Sequence, residues 1–309
     1  MAYDRSHERR IPTFPLVPIS TAFMKWAICN ETFLDWPHER AFEFAAGCGY
    51  TGIEIAPFTL GSSANEIASP ERARIRRLAD TAGLEVVGLH WLLAKTSGLH
   101  LTSPDSDVRW RTADYLAELA RLCRDLGGSI LVLGSPLQRN LLPGVTNAEG
   151  MKYAAEVIER AVPAFQETAT VLGIEPLSTA DGNFLLTAAE GVELVRQIGS
   201  PHVRLHLDCK AMSSETVSGE AVPIPELIRH HRDDLVHFHA NDPNRQGPGF
   251  GQLDFKPILA ALQEIDYAGW VSVEVFDYTP GPERLARESI EYLRRCAGGP
   301  HESTRSPQR

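Results

Sequence analysis

The sequence predicts an α/β protein built as one (β/α)8 TIM barrel. Its 309 residues alternate eight times between a short apolar run and a longer helical pattern. A barrel of this kind needs roughly 250 residues, so the chain has room for one such domain with short extensions. The last four apolar runs each carry an acidic or imidazole side chain near their end, where barrel strands present catalytic groups.

The first four units follow one another without a break in composition. We predict strands over 16–23, 52–56, 84–89 and 129–133, followed by helices over 37–46, 70–82, 107–126 and 147–170. Pro70 suits the first turn of the second helix, and Gly83 ends that helix. The third helix ends at the pair Gly127 and Gly128.

The remaining four units complete the predicted barrel. Strands are expected over 173–177, 203–208, 235–240 and 270–276, and helices over 187–198, 225–231, 255–265 and 282–295. Strands that alternate with helices indicate parallel pairing through right-handed crossovers. No G-x-G-x-x-G motif follows the first strand, which removes the main support for a dinucleotide-binding sheet. Residues 1–296 are predicted to form the barrel domain, and residues 297–309 a flexible tail.

Charge and cysteine content narrow the class of protein. The formal net charge of −10 argues against neutralisation of nucleic-acid phosphates and against a basic membrane-binding patch. The five cysteines are odd in number and form no C-x-x-C pair, so neither a disulfide framework nor a cysteine zinc site is indicated. Residues 1–15 are polar, and no signal peptide or spanning segment is visible. We therefore expect a cytoplasmic protein with a small-molecule substrate and no nucleic-acid or membrane partner.

Four consecutive predicted strands each contribute one potential metal ligand. Glu175 lies on the fifth, Asp208 on the sixth, His239 on the seventh and Glu274 on the eighth strand. Three carboxylates and an imidazole that converge in an apolar barrel would be costly without a cation. A ligand set rich in oxygen with one histidine suits Mn²⁺, Mg²⁺ or Co²⁺. His206 and His237 share side-chain parity with two of these residues, and we expect them as hydrogen-bonded residues deeper in the barrel.

These residues carry a family resemblance. The four strand-end groups, the segment Gly49–Glu54 (Gly-Tyr-Thr-Gly-Ile-Glu) and Arg245, six residues after His239, match a known pattern. The segment 251–255 matches as well. The chain resembles the xylose isomerase-like superfamily, in particular sugar phosphate isomerases and epimerases of the D-tagatose 3-epimerase type, over about residues 16–295.

The resemblance implies roles for these residues. Glu175, Asp208, His239 and Glu274 would hold one divalent ion, Mn²⁺ foremost and Mg²⁺ or Co²⁺ as alternatives. Glu175 and Glu274 would be the catalytic pair that removes and returns a proton beside a sugar carbonyl. Arg245 would bind substrate.

Two departures from the family pattern fall in the region that contacts substrate. The family's histidine three residues after the aspartate ligand is replaced by Ala211, with Lys210 beside it. The family's Gly-Glu after the histidine ligand is replaced by Ala240-Asn241-Asp242. We therefore expect a substrate bulkier than a free pentose or hexose, or one already oxidised to a keto form.

Further substrate-binding candidates follow other strands. His90 and Trp91 end the third strand, where Trp91 could stack on a sugar or cap the core. The polar loop 134–140 contains Gln138, and Glu54 ends the second strand. With Lys210 these residues complete the predicted substrate set. The glycine-rich stretch 247–251 is either a lid or a turn.

These observations predict a metal-dependent keto-sugar epimerase or isomerase. The alternative is a lyase of the same fold, either an inosose-type dehydratase or a deglycosidase acting on 3-keto-glycosides or C-glycosides. The endonuclease branch of the superfamily needs more metals and a basic track, which the acidic charge disfavours. A non-enzymatic sugar- or metal-binding protein is disfavoured by the intact ligand set. A homo-oligomer or a small partner subunit stays open.

Overall fold

The barrel is built from eight parallel strands within residues 24–298, the part of the chain that the computed structural model describes. The strands are β1 Lys25–Cys29, β2 Gly52–Ile55, β3 Glu85–Leu89, β4 Ile130–Leu133, β5 Val171–Ile174, β6 Val203–Asp208, β7 Leu235–Ala240 and β8 Trp270–Val273. Each strand pairs with the next in the chain, and β8 pairs with β1 to close the barrel. The predicted fold class is confirmed.

One helix of two turns or more follows each strand in the described range and packs outside the barrel. These helices are α1 His38–Cys48, α2 Ser69–Ala82, α3 Ser106–Leu126, α4 Asn147–Thr168, α5 Ala188–Ile198, α6 Ile224–His230, α7 Phe255–Glu264 and α8 Pro282–Cys296. A single helical turn, Cys209–Met212, and a two-stranded hairpin, Thr216–Val217 with Glu220–Ala221, lie between β6 and α6. Within residues 24–298 no helix is both long and apolar enough to cross a bilayer.

The boundaries of three strands differ from the prediction by more than one residue. The strand predicted over 16–23 lies outside the described residues, and the first barrel strand is Lys25–Cys29. Strands β5 and β8 end at Ile174 and Val273, several residues earlier than predicted. The next residues, Glu175 and Glu274, still donate their amides to neighbouring strands, at 3.4 Å to the Leu133 carbonyl and 3.3 Å to the Ala240 carbonyl. The backbone turns away beyond them, where loop carbonyls accept the amide hydrogen bonds. For example, the Phe276 amide donates to the Arg245 carbonyl at 2.8 Å.

Helix ends follow the local signals in the sequence. Gly83 and Gly127 adopt left-handed backbone conformations with φ of 77° and 94°, which end α2 and α3 as predicted. The start of α4 carries a capping box in which Thr146 and Glu149 satisfy each other's backbone amides. Because all eight strands are parallel, the loops that follow them lie at one end of the barrel.

The barrel core depends on a close approach between β3 and β4. A Cβ atom on Gly88 would lie 1.9 Å from the Ile130 carbonyl oxygen, a backbone atom that cannot move aside. The two strands pair in register there, since Gly88 lies opposite Ile130. Position 88 therefore accepts no side chain without separating the strands.

We expect Gly88→Ala to destabilise the protein by more than about 3 kcal/mol, because the added methyl forces β3 away from β4. Urea unfolding measures the change. Gly47→Ala is the matched control, since a Cβ there meets nothing within 4 Å and Gly47 is exposed in α1. Helix propensity predicts a gain of about 0.5–1 kcal/mol for that control. Equal stability of the two variants would contradict the close approach.

Candidate metal centre and active site

A cavity opens at the carboxyl ends of the strands. Its wall combines aromatic, aliphatic and charged side chains. They belong to His90, Trp91, Val132, Pro136, Glu175, Leu177, Asp181, Asp208, Lys210, Ala211, Arg245, Glu274 and Phe276, with Gly134 completing the wall.

The structure brings the four predicted ligands together, with Glu175, Asp208 and Glu274 lining the cavity and His239 buried beside them. One ligand atom from each of Glu175, Asp208, His239 and Glu274 lies within 4.8 Å of the others. All four are buried, and His239 Nδ1 lies 3.0 Å from Glu274 Oε2. Asp208 and His239 belong to β6 and β7, whereas Glu175 and Glu274 directly follow β5 and β8. The group is a possible metal-binding site.

The electrostatics of the four side chains favour a bound cation. Burial, with the nearby carboxylates of Glu274 and Asp208, raises the pKa of Glu175 to about 8. Burial and Glu274 raise the pKa of Asp208 to about 6. Burial alone would lower the pKa of His239, but Glu274 and Glu54 outweigh it and raise that pKa well above its usual value. A divalent ion would relieve the repulsion that these shifts record.

Glu175 is held in place by a glycine and by a buried arginine. A Cβ on Gly134 would lie 1.6 Å from Glu175 Oε2, so the carboxylate occupies the space that a side chain would fill. The guanidinium of Arg139 donates to the carbonyl oxygens of Glu175 at 2.5 Å and Leu133 at 3.0 Å. It also donates to two carbonyls of the β5–α5 loop, at Phe184 and Leu185. The loop 134–140, which was expected to contact substrate, thus supplies a buried side chain that supports the backbone at Glu175.

Asp208 is oriented by groups that the sequence did not single out as ligands. Its Oδ1 accepts the Ala211 amide at 2.8 Å, and its Oδ2 accepts the Asn241 side-chain amide at 2.5 Å. Asn241 in turn accepts the Lys210 backbone amide at 2.8 Å. The departure from the family's Gly-Glu pair therefore places a positioning residue, Asn241, beside a predicted metal ligand.

Glu54 lies beneath the cavity and does not line it. Its carboxylate contacts His239 Nε2 at 3.2 and 3.3 Å and His237 Nε2 at 2.8 Å. Burial would raise the pKa of Glu54, but the two histidines outweigh burial and lower it well below its usual value. Glu54 therefore orients a predicted metal ligand from below, away from the predicted place of substrate.

The deeper histidines differ from each other. His237 takes part in the Glu54 contact, as expected for a residue that orients the layer above. His206 is also buried, but neither of its ring nitrogens has a hydrogen-bond partner among the described residues. Its ring centroid lies 4.2 Å from that of His239, and burial lowers the pKa of His206 well below its usual value. A neutral ring at this position packs against its neighbours without adding charge.

The predicted substrate residues divide into two groups. His90, Trp91, Lys210 and Arg245 line the cavity, whereas Gln138 lies outside its wall. The Gln138 carbonyl instead accepts the Leu101 amide at 2.7 Å. The stretch 247–251 is a turn in which the Phe250 carbonyl accepts the Asn244 side-chain amide at 3.0 Å.

Two charged or aromatic cavity residues were missed by the sequence analysis. The Phe276 ring lies edge-on to Trp91 at 6.0 Å and faces the Lys210 ammonium at 5.0 Å. The Lys210 ammonium also pairs with Asp181, which lies in the loop after β5. Phe276 has the same parity as Glu274, and this alternation was the available signal. No pattern in the sequence distinguishes Asp181 from other acidic residues in loops.

Comparison with known proteins identifies the family. A family model described as a xylose isomerase-like TIM barrel matches residues 42–296. The chain is 30% identical over 276 residues to a D-psicose 3-epimerase of Agrobacterium fabrum, which covers 85% of this chain and 89% of that protein. It is 25% identical over 281 residues to a probable ketose 3-epimerase of Synechocystis, with 83% and 90% covered.

The fold agrees with a solved structure. A crystal structure of D-psicose 3-epimerase in the presence of D-fructose matches with a TM-score of 0.75 at 24% identity, and covers 89% of this chain and 100% of that one. The chain belongs to the xylose isomerase-like TIM barrel family. It is an enzyme of the sugar isomerase and epimerase class, as the sequence predicted.

We expect Glu54→Gln to weaken divalent metal binding by about 10- to 100-fold, because a neutral amide no longer orients His239. Competition with a fluorescent chelator measures the affinity. Glu85→Gln, an exposed carboxylate on β3, is the control and should leave affinity unchanged. Equal metal affinities of Glu54→Gln and Glu85→Gln would contradict the role of Glu54 in orienting His239.

The stability of the metal-free protein should fall as the pH rises from about 5 to about 8. Over this window folded Glu175 and Asp208 retain protons that the unfolded chain has released, since their folded pKa values are about 8 and about 6. Melting temperatures after chelation measure this slope, and Glu175→Gln should reduce it because an amide does not ionise. Added Mn²⁺ should stabilise the protein more at pH 8 than at pH 5. A flat profile in the metal-free protein would contradict the shifts.

Proposed function

We propose that this enzyme is a metal-dependent epimerase of keto sugars, with Glu175 and Glu274 as its proton-transferring pair. The observation that carries the proposal is that these two carboxylates line one cavity together with Asp208, and that their ligand atoms lie within 4.8 Å of those of Asp208 and the buried His239. Relatives named D-psicose 3-epimerase and ketose 3-epimerase support this substrate class.

The donor set suits a single hard or borderline divalent ion. Three carboxylates and one imidazole favour Mn²⁺, with Mg²⁺ and Co²⁺ as alternatives. When bound, such an ion polarises a sugar carbonyl and acidifies the C–H bond next to it. The protein's part is to keep the ligands oriented, through Glu54 beneath His239 and Asn241 beside Asp208.

Proton transfer falls to the two glutamates that follow β5 and β8. Strands β6 and β7 separate them around the barrel, so they approach the site from different sides. One carboxylate takes the proton from the carbon beside the carbonyl, and the electron pair moves toward the carbonyl oxygen. The other returns a proton to the opposite face of that carbon, which inverts its configuration.

The upper wall of the cavity suits a sugar larger than a free ketose. Ala211 leaves space beside Asp208, and the Trp91 and Phe276 rings offer apolar faces for a sugar ring. The Arg245 guanidinium lies on the same wall, 5.9 Å from the Phe276 ring, and offers a planar set of donors for sugar oxygens. We infer that the substrate is a substituted or keto-oxidised sugar.

The test is turnover of a panel of ketoses and keto-glycosides by the Mn²⁺-loaded enzyme in heavy water. We expect deuterium in the product at the inverted carbon, because solvent exchanges with the proton held by a glutamate. Arg245→Ala is the matched variant, and it should lose turnover while keeping its metal content. Fast turnover that requires a hydride-transfer cofactor would refute the mechanism. A product that has lost a substituent would identify the lyase alternative instead of an epimerase.

A further inference from the structure

A second buried group of potential metal ligands lies on the β1 side of the cavity floor. It consists of Cys29, Glu31, His90 and Glu274, and one ligand atom from each lies within 4.8 Å of the others. Cys29 ends β1, Glu31 lies in the short helix after it, and His90 follows β3. Glu274 belongs to both groups because β8 pairs with β7 on one side and with β1 on the other.

Hydrogen bonds leave this group incompletely satisfied. His90 Nε2 contacts Glu31 Oε2 at 2.6 Å. Among residues 24–298, however, neither His90 Nδ1 nor Glu31 Oε1 has a hydrogen-bond partner. The nearest carboxylate oxygen to His90 Nδ1 belongs to Glu54, at 3.8 Å, which is beyond hydrogen-bond range. Both side chains are almost completely buried, with 1% and 2% exposure, where unpaired polar atoms are costly.

We propose that Cys29, Glu31 and His90 bind a second divalent cation, of a thiophilic kind such as Zn²⁺ or Co²⁺, and share Glu274 with the first site. The proposal rests on the proposed function only for the role of Glu274. Thiolate, imidazole and carboxylate are the donors that Zn²⁺ takes in proteins. On binding, the Cys29 thiol gives up its proton to solvent and the sulfur becomes a ligand.

The two groups differ in the cation that they favour. The first offers oxygen atoms and one nitrogen, whereas the second adds a sulfur atom, which shifts preference toward softer ions. Entry is through the cavity, because His90 and Glu274 line it while Cys29 and Glu31 lie behind them. A cation can therefore reach the second group without opening the barrel.

Occupation of the second group has a consequence for turnover. A cation bound to Glu274 from the β1 side would engage a carboxylate that the proposed reaction uses for proton transfer. An excess of Zn²⁺ should therefore inhibit the Mn²⁺-loaded enzyme. The ratio of activity with and without Zn²⁺, measured within each variant, should fall in the wild type and stay near one in Cys29→Ser.

The direct test is spectroscopic and needs no substrate. Metal-free protein is titrated with Co²⁺ while the near-ultraviolet absorption of a thiolate–cobalt bond is followed. We expect the wild type to bind a second equivalent accompanied by this band, and Cys29→Ser to lose both. Cys123→Ser is the matched control, since Cys123 is equally buried but contacts the Ile130 carbonyl away from the cavity.

The outcomes separate this site from the first. Saturation of the wild type with Co²⁺ without a thiolate band would overturn the second site. Should Cys29→Ser fail to fold, Glu31→Gln replaces it, and an unchanged second affinity in that variant would also overturn it. Asp208→Asn should lose the equivalent of Co²⁺ that binds without the thiolate band. It should keep the equivalent of Co²⁺ that binds with that band. If Asp208→Asn retains both, the metal site of the proposed function fails instead.

Discussion

The molecule is organised around the repulsion of three carboxylates that are buried together at the mouth of the barrel. Glu175, Asp208 and Glu274 are buried, which limits their screening by water, and His239 is the basic side chain in their group. Such an arrangement is unfavourable for the apo protein and favourable for a cation. The barrel can hold it because parallel strands deliver each side chain from a separate, fully hydrogen-bonded element.

The groups around the site keep these ligands from relaxing apart. Glu54 holds His239 from below, Asn241 holds one oxygen of Asp208, and Arg139 fixes the backbone of Glu175. Each contact joins elements that are distant in the chain. The scaffold therefore supplies the free energy that keeps these like charges close together.

The fold and the convergence of the four predicted ligands could be predicted from the sequence because both follow from local patterns. Apolar runs of strand length alternate with helical patterns, and an acid near the end of such a run is conspicuous. Glu175 and Glu274 were predicted to lie within strands, but the strands end at Ile174 and Val273, directly before these residues, since periodicity does not show where the backbone turns away. The role of Glu54 was predicted as substrate contact, because parity alone does not tell the depth of a residue in a barrel.

Gly134 bears on how this enzyme could be altered by directed evolution. Its missing side chain leaves the volume that a Glu175 oxygen fills, so every residue with a Cβ at 134 competes with the carboxylate for the same space. In a combinatorial library that randomises the whole cavity wall, most members would carry a side chain at position 134 that clashes with the Glu175 carboxylate. Ala211 and Trp91, in contrast, border open cavity and can vary without displacing a ligand. Wall positions can therefore vary where no neighbouring side chain already fills the space that a new side chain would need.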